Sequence, residues 1–128
     1  MTLYINTASY DQIIIALRKG NKDLAKKIIK VKNNQAEKLM PAIEALLKAN
    51  RVKLGVLRKI VVANRGGSFT SLRIGVISAN ALAYALNIPV EAEEKSLKKN
   101  KKFGRYSLVE PIYDREPNIG APKKSLLD

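Results

Sequence analysis

Histidine, cysteine and tryptophan are all absent from this chain of 128 residues. Without cysteine there is no disulfide framework and no thiolate metal site, which points to a reducing, cytoplasmic home. Without histidine the commonest general base, the usual imidazole ligand and every Ser-His or Cys-His nucleophile arrangement are missing. Hydrolase chemistry suffers most from that loss, and the carboxylates that remain, such as Glu37 and Glu44, read better as a helix cap and a solvated helix face. Aromatics make up 5% of the residues against 46% hydrophobic, so the core has to be aliphatic. The N-terminus lacks a basic stretch followed by a long apolar one, and no later run approaches the ~20 apolar residues of a membrane span. A soluble chain with no membrane association is expected.

Acid is scarce as well. Eleven Asp and Glu stand against 24 Lys and Arg, a formal charge of +13. Such an excess favours association with polyanions, RNA foremost, through phosphate neutralisation. The length suits one compact domain.

Along the chain, Leu3 to Ile5, Gln12 to Leu17 and Ile28 to Lys32 are short β-rich runs, with a turn at Lys19-Gly20-Asn21-Lys22. They predict an antiparallel meander. Ile29 and Val31 alternate with Lys30 and Lys32, the pattern of an edge strand with one wet face. Asn34 and Glu37 resemble a capping box that opens a helix from Gln35 to about Ala49, with Pro41 expected to kink it. A buried strand follows over Lys59 to Ala63, then a glycine-containing loop and a second, very apolar helix ending near Leu86. Asn87 suits a left-handed cap, Pro89 forbids continuation, and a last strand is expected from Val90 to Glu93. Lys95 to Lys102 reads KSLKKNKK, either a solvated linker or a phosphate-binding strip. Beyond it, Tyr106 to Tyr113 has weak strand character, and Pro111, Pro117 and Pro122 suit a segment that wraps the surface.

The string GGSFTSLRIG, Gly66 to Gly75, lies where a strand hands over to a helix. Glycines there fit an anion site at a helix N-terminus. They fit tight packing equally well, and the lysine of a Walker loop is missing. On a helical wheel Leu72, Gly75, Val76, Ala79, Leu82, Ala83 and Leu86 share one face of the second helix, and Ile74, Ile77, Ser78, Ala81 and Ala85 share the opposite one. A helix apolar on two faces has to be covered twice, by the first helix or by a partner.

Taken together these strings resemble the TsaB (YeaZ-type) family. RGGSFTSLRIG from Arg65 is similar to the family's GPGSFTGLRIG, AEKLMPAIEALLK from Ala36 to its AEKLLPAIDELL, and LYINTASYDQIIIAL from Leu3 to its LALDTSTPACSVAL. LNIPV from Leu86 also matches, and VEPIYDREP from Val109 is similar to the closing PLYLR segment. The resemblance implies an α/β (α+β) chain with half of the actin-like ATPase fold, a mixed five-stranded sheet in the order βββαβαβ with two helices. Residues 1–94 would form the N-terminal actin-like domain, 95–105 a lysine-rich linker in place of the second domain, and 106–128 a C-terminal tail. The superfamily uses an Asp of its first strand to handle the metal of the nucleotide, and at that position stands Asn6, which supplies no anionic ligand. Arg65, Gly66 and Ser71 replace Gly, Pro and Gly of the family loop. No catalytic residue, cofactor or metal is therefore expected.

What the resemblance implies about function is a non-catalytic scaffold in the biosynthesis of threonylcarbamoyladenosine (t6A) on tRNA. In that family the two helices pair with those of a second TsaB, or of the catalytic subunit TsaD, with a TsaE-type ATPase as a further expected partner. The interface residues expected on that basis are Leu39, Ile43, Leu46, Gly75, Ala79, Leu82, Ala83 and Leu86. Lys95, Lys98, Lys99, Lys101, Lys102 and Arg105 are the candidates for an RNA contact. The alternative is a basic RNA-binding protein on the same fold, although Phe103 and Tyr106 are the only aromatics beside the lysine run.

Overall fold

A computed structural model describes residues 1–32, 34–66, 68–94, 101–103 and 106–109. Three strands open the chain, β1 (Thr2–Asn6), β2 (Gln12–Lys19) and β3 (Lys22–Lys30). Helix α1 (Gln35–Ala49) leads through a short 3-10 turn, Leu54–Val56, into β4 (Lys59–Val62), helix α2 (Phe69–Leu86) and β5 (Val90–Ala92). These strands form one mixed sheet in the order β3-β2-β1-β4-β5. β2 runs antiparallel to both β1 and β3, while β4 runs parallel to β1 and to β5. The expected α/β order βββαβαβ is therefore present, and β3 is an edge.

Period-two alternation decides which face of the sheet is dry. Leu3 and Ile5 pair in register with Leu17 and Ile15 on one side and with Ile60 and Val62 on the other. All six are essentially inaccessible. On this face α1 lies over β2 and β3, α2 lies over β1, β4 and β5, and the helices touch. Leu39, Ile43, Leu46 and Leu47 of α1 and Leu72, Val76, Ala79 and Ala83 of α2 complete one aliphatic core. On length and composition alone α2 is apolar enough to cross a membrane, contrary to the expectation from the sequence. Its buried face on the sheet, 39% of the helix, accounts for part of that apolarity.

Local details depart from the sequence reading in three places. β3 begins at Lys22, six residues before the expected Ile28: its first half is lysine-rich, lacks an apolar alternation and forms a strand by pairing with β2. The capping box does not form: the Asn34 side chain accepts from the backbone N–H of Lys32 at 2.9 Å and gives α1 no side-chain cap. Pro41 lies inside α1, where the sequence places it. Finally, Lys101–Phe103 of the expected linker is a strand, β6, paired antiparallel with β7 (Tyr106–Leu108). The left-handed cap at Asn87 is present, with φ 56° and ψ 46°.

Two asparagines clamp the chain on either side of residues 95–108. Asn64, buried, exchanges two 3.0 Å hydrogen bonds with the backbone of Glu94. Asn80 of α2 likewise donates to the carbonyl of Val109 at 3.0 Å and accepts from its N–H at 2.9 Å. Val109 is itself buried in the core, so this part of the expected tail belongs to the packed body.

Candidate functional site

Parallel strands gather their carboxyl ends at one rim of the sheet, where ligands of open α/β folds bind. Here the rim carries Asn6 at the end of β1 and Thr7 just after it, Asn64 and Arg65 after β4, and Glu93 and Glu94 after β5. Asn6 is engaged at both ends of its amide: Nδ2 donates to the Tyr4 hydroxyl at 3.0 Å and Oδ1 accepts from the N–H of Ala8 at 2.9 Å. Tyr4 in turn donates to the Glu93 carboxylate, at 2.8 and 2.9 Å to its two oxygens, and its ring lies under the Arg18 guanidinium at 4.1 Å. Arg65 pairs with Glu94 at 3.1 Å. Among the described residues no three acidic side chains come together as a metal cage.

Burial, reinforced by the hydrogen bond to Glu93 and its charge, pushes the Tyr4 hydroxyl up from 10.0 to about 12. A raised value in the folded state means the associated stability is complete below pH 10 and is lost as pH rises through 12. We expect the wild-type chain to lose up to about 2 kcal/mol more than Tyr4→Phe between pH 9 and 12. Denaturant melts at the two pH values measure this, and equal losses in both proteins would overturn it.

The loop that resembles a phosphate cradle is filled by the chain itself. A Cβ on Gly66 would overlap the Cβ of Ala8, and one on Gly75 would strike the Thr7 hydroxyl. Thr7 donates to the Ser71 carbonyl at 2.5 Å and accepts from the Gly75 N–H at 3.0 Å, which ties β1 to the first turns of α2. Ser68 caps α2, accepting from the Ser71 N–H at 3.3 Å. Gln35, 1% exposed, sends its amide to the carbonyls of Ser9 (3.1 Å) and Tyr10 (2.6 Å) and to the Ser71 hydroxyl (2.9 Å). Tight packing thus explains both Gly66 and Gly75. Nothing in the sequence marked Gln35 or Thr7, because a polar hub declares itself only when three distant segments meet on it.

The expected interface residues mostly face inward. Leu39, Ile43, Leu46, Gly75, Ala79 and Ala83 are buried in the chain's own core, and Leu82 and Leu86 are half-buried. The wheel offered two apolar faces for α2, and the small residues at 75, 79 and 83 took the sheet because only a glycine lets α2 approach Thr7 so closely. The outward face carries Ile77, Ala81, Tyr84 and Ala85, with Ile77 58% and Tyr84 63% exposed. On α1 the exposed counterpart is Met40, and beside it lies a groove lined by Ile43, Leu47, Val52 and Leu54. Of the RNA candidates, Lys101 and Lys102 fall in β6, while Lys95, Lys98, Lys99 and Arg105 lie outside the described residues.

Comparison with known proteins agrees with this architecture. A family model described as TsaD, tRNA N6-adenosine threonylcarbamoyltransferase, matches residues 27–93. The tRNA threonylcarbamoyladenosine biosynthesis protein TsaB of Bacillus subtilis (strain 168) is 39% identical over 114 residues, which cover 88% of this chain and 49% of that protein. YeaZ from Pseudomonas aeruginosa superposes with a TM-score of 0.65 at 25% identity, covering 77% of this chain and 43% of its own. A second Pseudomonas aeruginosa structure, described as similar to peptidase YeaZ, gives the same TM-score, identity and coverage. The chain spans about half the length of the relatives it matches. With a family model over more than half of its residues and TsaB and YeaZ as its relatives, this chain belongs to the tRNA N6-adenosine threonylcarbamoyltransferase (TsaD) family, as a member of TsaB/YeaZ type.

Proposed function

We propose that this chain is a non-catalytic, cytoplasmic subunit of the t6A machinery that docks on a TsaD-type catalytic subunit and stabilises it. The observation that carries the reading is the outer face of α2, where Ile77, Ala81 and Tyr84 stand exposed. Apolar side chains left exposed on one helix face gain about 25 cal/mol for each Å² that a partner covers. Asn6, held by Tyr4 and Ala8 where the superfamily places a metal-handling Asp, supports the non-catalytic part. Transfer of the threonylcarbamoyl group would rest with the TsaD-type subunit. A second copy of this chain, or a TsaE-type ATPase, would meet the same assembly.

Co-expression with the TsaD-type protein of the same organism, followed by size-exclusion chromatography with light scattering, tests this. The expected result is a co-eluting complex with the mass of one chain of each. Separate elution at micromolar concentration of both proteins would overturn the reading. The second reading, a free-standing RNA-binding protein, draws on the charge of +13 and requires RNA affinity without any TsaD-type partner.

A further inference from the structure

We propose that the outer hairpin of the sheet, from Arg18 to Lys32, is a contact surface for the phosphate backbone of tRNA. Between these positions stand seven basic residues and one acid, Asp23. Asp23 is taken by Arg18 at 2.8 Å, which leaves Lys19, Lys22, Lys26, Lys27, Lys30 and Lys32. All six are exposed. Within the paired register no carboxylate faces them, since Lys19 stands opposite Lys22, Lys26 opposite Ala16, Lys27 opposite Ile15 and Lys30 opposite Gln12; Asp11, whose carbonyl accepts from the Val31 N–H at 3.0 Å, stands at the open end and its carboxylate accepts from the Ser9 hydroxyl. Like charges placed directly opposite each other weaken a sheet, so the fold gains nothing from Lys19 and Lys22 as a pair.

The charge is also segregated. β3 and β5 are the two edges of the main sheet, and the acids Glu91, Glu93 and Glu94 sit on and just after β5, at the far edge. Four inter-strand spacings, about 19 Å, separate the edges, more than a Debye length at physiological salt. Asp11 at the foot of the hairpin and Glu37 and Glu44 on α1 stand nearer, three exposed carboxylates against six lysines, so the edge keeps a net positive charge. A lysine or two is enough to keep an edge strand from pairing with another chain, which does not account for six.

The shape of the array selects among polyanions. Lys26 and Lys30 project from the open face and Lys27 from the helix-bearing face, so the cations follow the ridge of an edge and do not pave a plane. A lipid surface would meet only one side of such a ridge. A nucleic-acid strand can run along it, since Lys22 to Lys30 spans roughly 26 Å at about 3.3 Å per residue, a length that presents several phosphates. The choice of tRNA among RNAs rests on the pathway proposed above.

The test titrates an unmodified tRNA transcript into the full-length chain by fluorescence anisotropy at 50 to 200 mM salt. Three charge-removing variants and one rescue variant are compared: Lys26→Gln/Lys27→Gln/Lys30→Gln on β3, Lys38→Gln/Lys48→Gln/Lys53→Gln on and after α1, the five lysines at 95, 98, 99, 101 and 102 changed to Ser, and Lys26→Arg/Lys27→Arg/Lys30→Arg as the rescue. We expect the β3 variant to bind roughly tenfold more weakly at 150 mM salt and to lose about two from the slope of log K against log salt. The α1 variant, of equal charge, should keep the wild-type slope, and Lys26→Arg/Lys27→Arg/Lys30→Arg should restore binding. Equal losses in the β3 and α1 variants, a loss confined to the five-lysine variant, or no tRNA binding by the wild type would each overturn the assignment. So would an equal β3-dependent affinity for phosphatidylglycerol vesicles or polyglutamate. Co-elution of the β3 variant with the TsaD-type protein is measured in parallel. Intact assembly with wild-type tRNA affinity would sink only the hairpin, whereas lost assembly in the wild type would sink only the docking.

Discussion

Replacing Ala79 with arginine should unfold the protein, while replacing Ile77 with arginine, two positions away on the same helix, should leave it folded and unable to assemble. Ala79 is 0% exposed and packs in the shared core of the sheet and both helices. Among the described residues no carboxylate is buried in the core to meet a guanidinium there. The cost of an unpaired buried charge is several kcal/mol, comparable with the ~5–15 kcal/mol that hold a domain together. Ala83→Arg should behave in the same way. Ile77, by contrast, is 58% exposed, and a surface change of this kind shifts stability by about 0.5 kcal/mol or less. In the proposed complex the same arginine would be desolvated against an apolar partner surface. Circular dichroism melts and co-purification with the TsaD-type protein read the two effects separately. A normal melt for Ala79→Arg would show that the helix is turned the other way, and a normal complex for Ile77→Arg would move docking off this face.

Gly75→Ala should destabilise the chain by about 2 kcal/mol, and Thr7→Ala should remove most of that penalty. On propensity alone the change to alanine ought to help, by roughly 1 kcal/mol in a helix interior. Contact decides the sign. The new methyl group would strike the Thr7 hydroxyl and crowd its Cγ2, and Thr7 cannot swing away without giving up both the Ser71 carbonyl and the Gly75 N–H. In a Thr7→Ala background the hydroxyl and Cγ2 are gone and the methyl meets only the Cβ of residue 7, at 3.3 Å, so Gly75→Ala should lose most of its penalty. A double-mutant cycle from urea melts measures the coupling directly. Coupling below about 0.5 kcal/mol would mean that α2 does not bear on Thr7.

Much of this fold is legible in the sequence because the signals are local. Helix α1 occupies the expected Gln35–Ala49, and α2 ends at Leu86 with Asn87 left-handed, since spacing and cap chemistry act within a few residues. The start of β3 was missed for the opposite reason. Lys22 to Lys27 gain strand geometry from pairing with β2, and no apolar alternation announces it. The same limit applies to the site. Two apolar faces on α2 can be read from the wheel, yet the face that meets the sheet is settled by Gly75 against Thr7, residues 68 positions apart. Asn34 shows how a local rule fails: its side chain turns back to Lys32, so the cap that its neighbours spelled out never forms.

The two asparagine clamps give the chain a property of a different kind. Asn64 holds Glu94 and Asn80 holds Val109, each by a pair of hydrogen bonds that imitates a rung of a β-ladder. Whatever runs between those anchors begins and ends at points set by the body, so its length becomes nearly free. Closing a loop grows only logarithmically dearer, about 0.6 kcal/mol for each doubling of its residues. The body therefore acts as a socket with fixed terminals, able to carry a short strap or an entire inserted domain without repacking its core. A lineage could gain or shed sequence at that point in one step while the helices, the sheet and the lysine edge stay where they are.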